Sequence, residues 1–239
     1  MRGFRLSDRM EAVVKLVPEN IRVADVGCDH AYVSIYLATH KGCKVYAMDL
    51  REGPLKIAKE NIEEAGLSDS IEVIKSDGLR EISPEKIDGV VISGMGGLLI
   101  KEILDASSDT VASLKYLILQ PQSEVEKLRR YIHMIGFEIV DEDMVWDDGK
   151  PYFMMRCERG GKNISWSDAD YLYGKCLIEK RHPGLIIYLK RRLSTLEEIG
   201  SNLKNSCLSD KVKERIESVE LEEKGIKEIL IKASEDFIL

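Results

Sequence analysis

A chain of 239 residues with 44% hydrophobic content is long enough for one domain of ordinary size plus an extension, built on a substantial core. Its net charge of −7 excludes wholesale electrostatic binding of nucleic acid but leaves room for a local basic patch. The five cysteines, at 28, 43, 157, 176 and 207, make no C-x-x-C pair and no metal-ligand spacing with histidine, which fits reduced thiols in a cytoplasmic protein without a metal.

The opening run Met1-Arg2-Gly3-Phe4-Arg5 is too polar for a signal peptide. No apolar run approaches the roughly 20 residues that span a bilayer, so a soluble chain with no membrane partner is expected. Leu6, Met10, Val13, Val14 and Val17 recur at helical spacing and predict a helix over 6–17, capped by Ser7 or Asp8 and ended by Pro18. Arg5 and Arg9 share one side of that helix, either as a solvated face or as phosphate contacts. An apolar strand over 22–26 breaks into the turn Gly27-Cys28-Asp29-His30-Ala31, and a helix follows over 32–39. Gly27 lets the backbone approach a ligand closely, and the first turn of the next helix offers free N–H groups. The dinucleotide fingerprint G-x-G-x-x-G goes no further than Gly27, because Asp29 stands where its second glycine belongs. A carboxylate repels a pyrophosphate and attracts a cation. That favours S-adenosyl-L-methionine, a sulfonium without phosphate, over NAD or ATP.

A second strand over 44–49 ends in Asp49, about 20 residues past the glycine turn, where an acid in a doubly wound fold bonds a ribose hydroxyl. Pro54 suits the first position of a helix that continues over 55–65. The third strand, over 71–77, ends in Asp77-Gly78; Asp77 is expected at the cofactor adenine, unless it serves only the turn. A fourth strand over 87–92 runs into Ser93-Gly94-Met95-Gly96-Gly97, a loop with so little side-chain bulk that something flat or close must pass it. A helix over 98–104, a strand over 115–120 halted by Pro121, and a helix over 123–135 come next. Strands over 137–145 and 152–157, joined by Asp147-Asp148-Gly149-Lys150, make a hairpin.

Strand–helix units repeated five times, then a hairpin, predict an α/β fold with a largely parallel sheet covered by helices on both faces. The closing hairpin marks a seven-stranded class I methyltransferase (Rossmann-like) sheet. Ligands of such sheets lie at the carboxyl ends of the strands. The expected cofactor-binding set is therefore Asp25, Gly27, Cys28, Asp29, Asp49, Leu50, Asp77, Gly78, Gly94, Met95 and Gly96.

Past residue 158 the pattern changes. Arg159-Gly160-Gly161-Lys162-Asn163 reads as a linker, dividing a cofactor-binding domain over 1–158 from a helical extension over 159–239. Helices are expected over 171–179 and, after a break at Pro183-Gly184, over 185–203. A last helix, capped by Ser209 or Asp210, carries the stripe Val212, Ile216, Val219, Ile226, Ile229 and Leu230. The two long helices would form an antiparallel coiled-coil hairpin turning near 205–208. Residues 171–215 hold ten basic against five acidic side chains, densest at Lys190-Arg191-Arg192. Such a run is either a solvated face or a contact with nucleic-acid backbone.

Taken together, Leu6-Ser7-Asp8-Arg9, Asp25-Val26-Gly27-Cys28-Asp29-His30-Ala31-Tyr32, Gly53-Pro54, Gly78-Leu79, Gly94-Met95-Gly96-Gly97, Leu117-Ile118-Leu119-Gln120-Pro121 and Asp148-Gly149-Lys150-Pro151-Tyr152 resemble the bacterial tRNA (adenine-22-N1)-methyltransferase family. The resemblance covers residues 1–158, and the tail is similar in kind to that family's C-terminal coiled coil. It implies methyl transfer from S-adenosyl-L-methionine to N1 of an adenine in the D-arm region of tRNA, by a cytosolic monomer that uses no metal.

For such a reaction the ring gains positive charge, which a carboxylate near N1 and N6 stabilises. Asp29 is the expected catalytic residue; its competing duty is to cap the next helix. His30 is expected to orient the adenine or hold Asp29, against a purely structural role. Tyr32 either stacks on a base or packs in the core. Expected tRNA contacts are Arg5, Arg9, Tyr32, Gly97, Lys190, Arg191 and Arg192. No Asn/Asp-Pro-Pro-aromatic loop follows the fourth strand, which favours a ring nitrogen over an exocyclic amine. Two other readings compete: a methyltransferase of another RNA or a small molecule, and a catalytically silent RNA-binding protein of the same fold. An NAD dehydrogenase stands further off, for want of the fingerprint.

Overall fold

The computed structural model describes residues 6–160, 165–205 and 209–235. Arg5, most of the expected linker and the expected turn at 206–208 lie outside the described residues. The described chain divides into two compact units, Met1–Ser165 and Trp166–Leu239.

In the first unit, helix α1 (Asp8–Leu16) starts at Ser7, whose hydroxyl accepts the Met10 N–H at 3.4 Å. Then come β1 (Arg22–Val26), α2 (Tyr32–Lys41), β2 (Lys44–Asp49), α3 (Glu52–Glu64), β3 (Ile71–Lys75), β4 (Gly89–Met95), α4 (Gly97–Asp105), α5 (Ser108–Ser113), β5 (Tyr116–Pro121), α6 (Val125–Met134), β6 (Phe137–Asp147) and β7 (Lys150–Arg159). The strands form one seven-stranded sheet in the order β3-β2-β1-β4-β5-β7-β6. β1 to β5 pair in parallel, while β7 runs antiparallel to both β5 and β6. Val23, Ala24, Val45, Ala47, Val91, Leu117 and Ile118 are fully buried, as strands covered on both faces require. The strand order reverses between β1 and β4, and a crevice opens at their carboxyl ends.

Several expectations need correction. Only a one-turn 3-10 helix, Pro84–Lys86, joins β3 to β4, so the third strand–helix unit is incomplete. α3 already begins at Glu52, which puts Pro54 third in the helix; a missing N–H costs nothing there, because first-turn donors have no intrahelical acceptor. β4 does not stop at Ile92. It runs on to Met95 through a bulge between Ser93 and Met95, with Gly94 at φ +77, and pairs with Gln120 and Pro121. At the hairpin, Asp148 (φ +46) and Gly149 (φ +73) make a two-residue turn whose twist matches the strands. Arg159 is not linker. It ends β7, its guanidinium sits 4.0 Å from the Phe137 ring centre, and it donates to the Ile135 carbonyl at 3.2 Å.

The second unit holds α7 (Asp168–Tyr173), α8 (Lys175–Glu179), α9 (Pro183–Lys204) and α10 (Asp210–Glu235). The single helix expected over 171–179 is divided at Gly174, whose φ of +91 a side-chain-bearing residue would resist. The expected break at Pro183 is the start of α9, where a proline's missing N–H is harmless. Lys204–Glu220 (2.7 Å) and Glu197–Lys227 (3.8 Å) pair α9 and α10 in antiparallel order. Leu189 and Leu196 of α9 are buried, as are Val219 and Ile226 of the stripe expected on α10.

Arg129 on α6 and Glu142 on β6 are 0% and 1% exposed and meet at 2.8 Å. Removing one member of a buried pair strands the other's charge. Glu142→Ala should therefore lower the unfolding free energy by about 3–5 kcal/mol in a denaturant titration of the full chain. A loss near zero would show that the guanidinium needs no carboxylate.

Candidate active site

The turn between β1 and α2 is held from below. The N–H groups of Gly27 and Cys28 both donate to the Met48 carbonyl of β2, at 2.8 and 3.0 Å. Ala31 closes the turn onto the Cys28 carbonyl at 2.8 Å, and Asn61 of α3 donates to the His30 carbonyl at 2.9 Å. Gly27, Asp29 and Ala31 all have positive φ, at +75, +51 and +59. For Asp29 and Ala31 this is the left-handed region that side chains avoid, and such strain collects where a backbone is shaped for a ligand.

A cavity of about 500 Å³ lies over this turn. Each strand end contributes to it. β1 and its turn supply Asp25, Gly27, Cys28, Asp29, His30 and Tyr32; β2 supplies Asp49 and Leu50; β3 supplies Asp77 and Gly78; β4 supplies Gly94 and Met95. Arg9 reaches the wall from α1, its guanidinium 5.1 Å from the Tyr152 ring centre.

The acids differ sharply in burial. Asp25 is 2% exposed and accepts the Ser34 hydroxyl at 2.6 Å. Burial pushes its carboxyl up to about 6; the Ser34 hydrogen bond opposes the shift and nearby Asp49 adds to it. The Cys28 thiol is pushed up by burial and by the charge of Asp25, so it stays protonated and unreactive. Asp49, 6% exposed, accepts the Arg51 N–H at 2.9 Å. Asp77 is open and pairs with Arg80 at 3.2 Å. The Asp29 side chain is 61% exposed, with its carboxylate 3.7 Å from His30 Nε2. It caps nothing: the cap of α2 is Ala31, which makes no side-chain cap bond. Tyr32 packs against the core, one of the two roles expected of it, and also lines the cavity.

A match to the sequence model of the family described as tRNA (adenine(22)-N(1))-methyltransferase spans residues 23–224. The chain belongs to this family. The Bacillus subtilis tRNA (adenine(22)-N(1))-methyltransferase is 28% identical over 235 residues, covering 96% of this chain and 99% of that one. A Streptococcus pneumoniae relative solved in complex with S-adenosyl-L-methionine is 30% identical, with TM-score 0.81 over 95% of this chain and all of that one. The Mycoplasma capricolum family member, solved with S-adenosyl-homocysteine, is 27% identical, with TM-score 0.78 over 94% of this chain and 97% of that one.

Within this family frame, some expected residues do not reach the cavity. Gly96 caps α4, and a Cβ on Gly97 would stand 2.6 Å from the Ser123 carbonyl oxygen, so these two glycines serve close packing against the turn after β5. Gly27 does meet the cavity's far wall, since a Cβ there would stand 2.4 Å from the Met95 methyl. Lys190, Arg191 and Arg192 lie on α9 of the second unit. Arg192 is engaged by Glu222 through two bonds of 2.7 and 2.9 Å, and Glu222 also accepts the Tyr173 hydroxyl at 3.0 Å. That makes Arg192 a clamp between helices instead of a cation open to phosphate.

Sequence reasoning missed other residues. Gln120 is fully buried, and its side-chain oxygen accepts the Gly94 N–H at 3.0 Å, fixing the β4 bulge. A polar residue at the end of the apolar run Leu117-Ile118-Leu119 was the available signal. Ser76, Arg51, Ser93, Leu99 and Gln122 also line the cavity without any motif to mark them. Among the described residues, no cluster of three or more His, Cys, Asp or Glu is placed to hold a metal, and no helix is long and apolar enough to cross a membrane.

The raised Asp25 carboxyl has a stability consequence. A carboxyl with a higher value folded than unfolded favours the fold only at acid pH, and that contribution is lost as pH rises through about 6. Asp25→Asn removes the ionisation and keeps an acceptor for Ser34. The variant should gain on the order of 2 kcal/mol over the parent at pH 7.5, narrowing toward zero near pH 4, in denaturant titrations. A gap that is flat with pH would mean Asp25 does not titrate in this range.

Proposed function

We propose that this chain transfers a methyl group from S-adenosyl-L-methionine to N1 of adenine 22 in tRNA, with Asp29 as the carboxylate that faces the reacting base. The observation carrying the assignment is an open acid, free of capping duty, in a strained turn over a cavity to which the ends of β1, β2, β3 and β4 all contribute.

The residues fit the cofactor. Gly27 sits at φ +75, a conformation that side-chain-bearing residues resist, so backbone forms that part of the floor. Asp25 and Asp49 are buried acids beside it, suited to a cationic group and to ribose hydroxyls respectively. Leu50, 60% exposed on the wall, offers an apolar face to a flat ring, and Asp77 an acceptor to its amine. When bound, the cofactor supplies an electrophilic methyl whose bond to sulfur breaks as the bond to N1 forms, leaving neutral sulfur.

Adenine N1 attacks with its own lone pair and needs no base to activate it. Positive charge develops on the ring instead. Asp29 stabilises that charge and is placed to accept an N6 proton, with the His30 ring beside it, Nε2 3.7 Å from the carboxylate. N1 lies on the pairing edge, so the base must leave its stack, at a cost of a few kcal/mol that phosphate contacts offset. Arg9 at the cavity rim and the exposed Lys190 and Arg191 of α9 supply such contacts. A tRNA substrate places the reaction in the cytoplasm.

Asp29→Ala should keep its affinity for S-adenosyl-L-methionine in calorimetry and lose about 100-fold or more in kcat on whole tRNA. Mass-spectrometric mapping of the product should show 1-methyladenosine at position 22. Undiminished turnover would remove Asp29 from the chemistry. Changing Lys190 and Arg191 together to alanine should weaken tRNA binding and flatten its dependence on log salt, by about one unit for each phosphate that the protein no longer neutralises. An unaltered salt slope would show that α9 does not touch the backbone.

A further inference from the structure

Gln122 is an exposed residue on the wall of the active-site cavity, directly after β5. Its backbone is fixed, because its N–H donates to the Met95 carbonyl at 2.8 Å. Its side chain lies across the β4 bulge, with Nε2 3.8 Å from where a Cβ on Gly94 would stand. Among the described residues this amide makes no hydrogen bond with the protein. The cavity wall thus presents a paired acceptor and donor on an anchored backbone.

Which ring it would meet follows from strand order. The acids assigned to the cofactor's adenosine sit at the ends of β2 and β3, whereas Gln122 follows β5. With neighbouring strands about 4.8 Å apart, β2 and β5 are separated by roughly 14 Å across the sheet. The amide is therefore on the side of the cavity away from the cofactor's own adenine.

We propose that Gln122 is the specificity-determining residue that reads the target adenine, its Oε1 accepting from the N6 amine and its Nε2 donating to N7. This inference rests on the reading of the site as an adenine-N1 methyltransferase. A glutamine amide pairs with an adenine through N6 and N7 in this bidentate way. The pairing leaves N1 uncovered, as the reaction requires. It uses the N6 hydrogen on the N7 side and leaves the hydrogen on the N1 side for Asp29. Guanine presents acceptors at both O6 and N7, so it cannot satisfy Oε1.

The test uses the full-length chain, wild type and Gln122→Ala, on two tRNAs that carry adenine or 7-deazaadenine at position 22. Replacing N7 by carbon removes one acceptor and leaves N1 and N6 in place. The change alters the ring's intrinsic reactivity equally for both enzymes, so only the difference between their penalties reports the hydrogen bond to N7. In wild type the 7-deaza penalty in kcat/KM should exceed that in Gln122→Ala by about tenfold. On the natural base, Gln122→Ala should lose roughly 10- to 100-fold. Its affinity for S-adenosyl-L-methionine should stay within twofold of wild type, which also reports an intact fold.

Equal penalties in the two enzymes, with normal wild-type turnover, overturn the inference alone. A loss of cofactor affinity that matches the loss in kcat/KM also overturns it, by moving Gln122 to the cofactor. No methylation of the natural tRNA by wild type would overturn the underlying reading, and this one with it.

Discussion

Two N–H groups share one carbonyl at the centre of this protein. Gly27 and Cys28 both donate to Met48, at 2.8 and 3.0 Å, and this bifurcated hold ties the first turn of the sheet to the end of β2. It lets the chain pass through positive φ at Gly27, Asp29 and Ala31 without drifting away from the strand ends. Met95 closes the other side, near enough to Gly27 that a Cβ there would have to displace its terminal methyl. The cavity floor is thus set by backbone and one thioether methyl. Asp29 is open to solvent because the turn lifts it there, not because it lacks neighbours.

On that scaffold, three acids have different work because they have different environments. Asp25 is sealed inside, where its charge is costly, and its carboxyl is pushed up to about 6 in consequence. A bound cation would favour the ionised form, so the fold carries a penalty that the ligand relieves. Asp49 is nearly as buried, but the Arg51 N–H supports its carboxylate. Asp29 is open to solvent, and the role proposed for it is to meet charge that appears only during reaction. Preorganised charge of this kind contributes where it meets a developing charge of opposite sign.

Polar residues at the ends of β4 and β5 complete the arrangement. Gln120 fixes the bulge at Gly94 from inside the sheet, and Gln122, two residues on, faces the cavity. Glutamines at i and i+2 of an extended segment should share a face. The strand ends at Pro121, between them, so only the first is sealed inside the sheet. In the second unit, by contrast, charge serves cohesion: Glu222 gathers Arg192 and Tyr173, linking α7, α9 and α10. Net basic composition therefore overstates how many cations α9 offers to a phosphate backbone.

Much of the architecture was legible in the residues. Alternating apolar strands and helical stripes specified a parallel sheet, because each pattern has only one way to bury its apolar face. The acids at the ends of the strands marked the ligand side, and the Asp148-Gly149 dipeptide marked the hairpin. What the sequence left open depended on contacts between distant segments. Whether Asp29 capped α2 was a matter of turn geometry, settled by Met48 some twenty residues away. The glycine run 94–97 looked uniform, yet Gly94 bulges at the cavity while Gly97 packs against Ser123; only the approach of β5 separates them. Arg159 read as linker, and Arg192 as a surface cation, until the elements around them were in place. Local patterns encode which face of an element is buried; the partner of a given polar side chain is decided by which other elements the fold brings beside it.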